Sequence, residues 1–67
     1  MEPFASTLRR IRIAAGLTQA QVATMVGRHA NTVARWERGE RTPGPLVREA
    51  VLARIRKETH SEGGTGK

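Results

Sequence analysis

The chain has no cysteine and no tyrosine, one tryptophan, one phenylalanine, and only 6 acidic residues against 12 basic ones. Without cysteine there is no disulfide, no thiol nucleophile and no thiolate-bound zinc, a composition that suits a reducing cytoplasm. The two histidines, His29 and His60, are isolated imidazoles and make no metal site. Two aromatic residues are too few to stack single-stranded bases, which takes several exposed rings interleaved with cations. No apolar run approaches the roughly 20 residues of a membrane span, and the Arg-rich start lacks the apolar region of a secretory signal. Nucleophile, base and orienting group cannot be assembled from this inventory, so neither an enzyme nor a cofactor is expected, and no small-molecule ligand is evident.

What remains is charge. The chain of 67 residues carries a formal +6, and ten of its 12 basic residues are arginine. Such a field attracts polyanions before any specific contact forms. A chain this short makes one domain and buries only about 60% of its unfolded surface, which leaves little room for a cleft.

The most organised stretch is residues 18–39, TQAQVATMVGRHANTVARWERG. Thr18 and Gln21 form a T-x-x-Q capping box, which starts a helix at Thr18. Val22, Ala23 and Val26 share one face of that helix, and Gly27 stands where a turn with positive φ is cheapest. A second run begins near His29 or Ala30, buries Val33 and Trp36 at i, i+3, and ends at Gly39. Two short helices about three residues apart have the proportions of a helix-turn-helix. Ahead of them, Ser6 or Thr7 is a plausible cap for a helix carrying Leu8, Ile11 and Ala15 and ending at Gly16. Behind them, Gly44 and Pro45 open a fourth helix with Leu46, Val47, Ala50, Val51 and Ile55 on its apolar face. Part of that face closes the core; the part around Leu52 and Ile55 is free to pair with a second copy.

Opposite Val33 and Trp36, the second run presents Arg28, His29, Ala30, Asn31, Thr32 and Arg35. An Asn amide pairs with the adenine edge and an Arg guanidinium with guanine, each worth about 1–3 kcal/mol of discrimination in the major groove. Ala30 suits a thymine methyl. A polar outer face is also what any amphipathic helix has; the tight turn and the net charge favour the nucleic-acid reading. His29 departs from good capping chemistry: either Asn31 caps a later start, or the helix begins poorly and is completed by DNA phosphates.

The segment LTQAQVATMVGRHANTVARWERGERTP resembles the helix-turn-helix core of the lambdoid phage repressor and Cro family, the XRE-type regulators. The likeness covers residues 8–55. It rests on Gly16-Leu17-Thr18-Gln19, on Ala23 with Gly27, and on Val33 followed by Arg35-Trp36-Glu37-Arg38-Gly39. The resemblance implies a small all-α, lambda-repressor-like domain of four helices, with a fifth often present in the family. It implies that Arg12 pairs with Glu37, tying the first helix to the recognition helix, and that Gln19 contacts the DNA backbone and braces that helix. It also implies phosphate contacts from the loop after Gly39, which makes Arg38 and Arg41 candidates.

The expectations are therefore a DNA-binding domain over residues 1–57 and a disordered tail over 58–67. His29, Ala30, Asn31 and Arg35 are expected to read bases, while Thr18, Gln19, Arg28, Thr32, Arg38 and Arg41 hold phosphates. Partners are double-stranded DNA and, through the C-terminal helix, a second copy; the family points to a bacterial, phage or plasmid source. The function expected is a sequence-specific transcriptional regulator of the repressor kind. The alternative is a protein-interaction module or antitoxin-type adaptor that keeps the fold with little DNA binding.

Overall fold

A burial contact, rather than a capping hydroxyl, sets where the first helix begins. In the computed structural model, which describes residues 3–64, α1 (Phe4–Ala14) follows an extended Pro3 with no side-chain cap. The Thr7 N–H donates to the Pro3 carbonyl at 3.0 Å. This corrects the expected start at Ser6 or Thr7. The reason is Phe4, whose ring meets Trp36 edge to face with centroids 6.2 Å apart. Drawing Phe4 into helix lets it pack there, a gain of about 0.5–1.5 kcal/mol beyond the area it covers.

The second helix, α2 (Gln19–Val26), starts as its sequence demands. The Gln21 N–H donates to Thr18 Oγ1 at 3.0 Å and the Thr18 N–H donates to Gln21 Oε1 at 2.8 Å, a complete capping box. Gly27 ends it at φ 70, and Gly39 ends α3 (Ala30–Arg38) at φ 78. A side chain at either position would be strained in that left-handed backbone. Pro45 is the first residue of α4 (Pro45–Gly64), where its missing N–H has no helical partner to lose.

The four helices, which with no strand make up the described residues as an all-α fold, enclose one core of Leu8, Val22, Ala23, Val33, Trp36, Val51 and Ile55. The α1 helix packs on α3 and α4, and α2 packs on the same two. The α3 helix is thereby held by both α1 and α2. No helix is long and apolar enough to cross a membrane, among the described residues.

The α4 helix runs to Gly64; the expected tail over 58–67 reaches past it, and 65–67 lie outside the described residues. Extending a helix adds a hydrogen bond for each residue fixed, and Glu58 sits one turn from Arg54, with 3.8 Å between charged atoms. Ile55 is fully buried and so is not held back for a second copy, while Leu52 is partly buried against the core. Among the described residues, the large apolar side chain left in solvent on α4 is Leu46, 82% exposed.

Candidate nucleic-acid interface

The position of α3 is fixed from behind by Glu37. Arg12 on α1 donates Nε to Glu37 Oε2 at 2.6 Å and Nη2 to Glu37 Oε1 at 3.0 Å, a bidentate pair. Gln19 on α2 donates Nε2 to the same Oε1 at 3.1 Å. Arg12 also donates Nη1 to the Leu17 carbonyl at 2.9 Å, while the Leu17 N–H donates back to the Arg12 carbonyl at 3.1 Å. One carboxylate thus joins α1, the following turn and α2 to α3. The side chains of Arg12 and Glu37 are only 15% and 5% exposed. The hydrogen bond to Glu37 raises the Arg12 pKa, so the guanidinium keeps its charge. Arg suits this junction because its planar fork satisfies two acceptors in fixed geometry.

With Val33 and Trp36 buried and Glu37 clamped, the opposite face of α3 turns to solvent. At about 100° per residue, Asn31, Arg35 and Arg38 fall on one stripe, and all three are exposed. His29 and Ala30, also exposed, lie at the leading end. His29 takes the N-cap position but makes no side-chain cap bond, and Asn31 lies inside the helix; a later start capped by Asn31 is ruled out. The first turn of α3 therefore keeps backbone donors that no cap side chain satisfies.

The phosphate candidates divide into groups. Thr18 and Arg28 are exposed, although the Thr18 hydroxyl is occupied by the capping box. Gln19 is half-buried with its amide turned to Glu37. Arg28, Thr32, Arg35 and Arg41 come together with Trp36 and Thr42 around a depression of about 430 Å³ between α3 and the loop after it. No carboxylate lines it, so its field is positive. Arg38 is turned instead toward Glu40, donating Nε to Oε2 at 2.7 Å and Nη2 to Oε1 at 3.3 Å. That hydrogen bond raises the Arg38 pKa and holds the Glu40 carboxyl below its ordinary range.

A family model for the helix-turn-helix domain matches residues 3–56, most of the chain. The chain belongs to that family. It is a DNA-binding rather than a catalytic family, which agrees with the net charge of +6 and with the exposed basic face. Comparison with curated proteins and with solved structures gives no match.

Three features of this helix-turn-helix were not anticipated from sequence. The Leu17 carbonyl is a partner of Arg12, a backbone acceptor that no residue type announces. Glu40 engages Arg38, and Arg-x-Glu across a helix end is a weak signal that was present. Arg48 donates Nη1 to the Pro43 carbonyl at 3.1 Å and so pins the loop that carries Arg41. Nothing in the spacing of residues 43 and 48 requires that bond.

Proposed function

We propose that the protein is a sequence-specific double-stranded DNA-binding transcriptional regulator of the lambdoid repressor and Cro (XRE) type, acting as a repressor. In this reading α3 enters the major groove. Asn31 and Arg35 make the bidentate base contacts, His29 and Ala30 read the edge of the site, and Thr18, Gln19, Arg28, Thr32, Arg38 and Arg41 engage phosphates. The observation that carries the reading is the exposed stripe of Asn31, Arg35 and Arg38 on a helix whose back is locked by the Arg12 and Gln19 bonds to Glu37. A groove-reading helix must be held rigidly, because a small displacement costs it the geometry of two bonds at once. The Arg28, Thr32 and Arg41 depression adds a positive flank beside the stripe.

Selection of bound sequences from a random duplex library tests this, run in parallel on wild type and Arg35→Ala. Wild type is expected to enrich one motif, and the variant to lose preference for a guanine within it at a cost of about 1–3 kcal/mol. Neutralising six to eight phosphates gives a slope of log affinity against log salt of roughly −5 to −7. Enrichment of nothing by either protein, or a slope near zero, overturns the reading. A palindromic motif with half-sites about 34–36 Å apart would show that two copies bind together.

A further inference from the structure

The α2 and α4 helices leave a groove of about 360 Å³ between them, with Met25 and Val26 on one side and Val47 and Ala50 on the other. Leu46 stands at its edge, 82% exposed. Arg28 and Arg54 also line the groove, and no carboxylate does. Leu46, Ala50 and Arg54 recur every fourth residue, so they form one stripe about 12 Å long on α4. A short apolar trough with cations on its lining fits the helix-in-groove mode of recognition.

We propose that this groove receives an acidic amphipathic helix from a partner protein, with its apolar face over Leu46 and Ala50 and its carboxylates on Arg28 and Arg54. Charge complementarity selects that occupant. A second copy of the chain would bring another +6 and no groove carboxylate to meet either arginine. A phosphate backbone would leave Leu46 without apolar cover. Arg54 has only a loose link to Glu58 at 3.8 Å, both about half exposed. Such a pair yields readily to an incoming carboxylate.

Arg28 gives the groove a consequence. It lines this groove and also the depression it shares with Thr32, Arg35 and Arg41. An acidic helix that engages Arg28 withdraws one cation from the DNA side, so partner and duplex compete. That consequence rests on the DNA reading; the groove itself does not.

The probe is a labelled synthetic peptide of about 14 residues, four turns, with Leu at i, i+3, i+4 and i+7 and Glu at most other positions. Anisotropy titrations with the full chain compare it with a scrambled peptide of the same composition and with a version carrying Lys for Glu. The Leu/Glu peptide is expected to saturate, to bind at least about tenfold more weakly to Leu46→Glu and to Arg54→Glu, and to outbind both controls. Both side chains are exposed, so unchanged Trp36 emission will show that the variants fold. Equal binding of the scrambled peptide, no saturation, or no loss in either variant overturns the proposal. So does sedimentation as a dimer that Leu46→Glu dissociates, which would make the occupant a second copy. In the DNA arm, the peptide is expected to weaken duplex binding by wild type, while Leu46→Glu without peptide binds the duplex as wild type does. If no duplex binds, the DNA reading fails and the peptide arm still decides the groove.

Discussion

The two helices of the helix-turn-helix begin in opposite ways. The α2 start is written locally, with Thr18 and Gln21 satisfying each other's backbone amides across one turn. The α3 start has an extended His29 and no side-chain cap. What α2 gains at its first turn, α3 gains at its last, where Glu37 takes bonds from Arg12 and Gln19 and Trp36 is buried to 4% exposure. The first turn of α2 is fixed by its own side chains, whereas α3 depends on the rest of the domain to hold it. The arrangement leaves the leading turn of α3 open to anionic partners, since free amides and the helix dipole both favour negative charge there.

The largest effect is expected from breaking the tertiary half of this contrast. Glu37→Ala leaves the Arg12 guanidinium, only 15% exposed, without its counter-charge, at a typical cost of about 3–5 kcal/mol. In a domain this small that is a large share of the total, so urea unfolding followed by Trp36 fluorescence should show a chain mostly unfolded without denaturant. Replacing both partners by apolar residues, Arg12→Met with Glu37→Leu, should recover most of the loss. A single substitution that moves stability by less than about 1 kcal/mol would mean that α3 is held by Val33 and Trp36 alone.

Breaking the local half should cost less. Thr18→Ala removes the acceptor for the Gln21 N–H, with an expected loss of about 1 kcal/mol in the same urea experiment. The converse change sharpens the comparison. His29→Ser supplies the hydroxyl that α3 lacks and is expected to raise stability by about 0.5–1 kcal/mol, while weakening duplex binding if His29 reads the site. A variant that is no more stable would show that the extended backbone at residue 29 already satisfies the leading turn.

The contrast also explains what the sequence could and could not tell. Features spanning one turn were legible: the Thr18 and Gln21 box, and the left-handed stops at Gly27 and Gly39. So were the i, i+3 burial of Val33 and Trp36 and, on the other face, the exposed pair Asn31 and Arg35. Arg12 and Glu37 are 25 residues apart, and only the family resemblance linked them; periodicity carries no such information. The same limit misplaced the start of α1, because Phe4 answers to Trp36 in another helix. It also misjudged Ile55, since an apolar face shows which residues seek cover and not which helix supplies it.

The smallest effect concerns the exposed ion pair just beyond the clamp. Arg38 and Glu40 are 56% and 52% exposed, so water screens them, and Glu40→Gln should leave the urea midpoint unchanged. The pair is visible by its titration instead. The hydrogen bond from Arg38, with smaller help from the charges of Arg38 and Arg35, keeps the Glu40 carboxyl below its ordinary range. A carboxylate with a lowered folded-state pKa contributes what it has above the unfolded-chain value and loses it as pH falls through the lowered one. The contribution is therefore complete at neutral pH and disappears only in acid. An NMR titration of the Glu40 side-chain carboxyl should find its midpoint below the usual range and return it to that range in Arg38→Gln; a wild-type midpoint at the ordinary value would show that the pair does not persist in solution. Where it does persist, Glu40 competes with phosphate for Arg38 in the proposed DNA complex, and Glu40→Gln should tighten duplex binding slightly at neutral pH without any gain in stability.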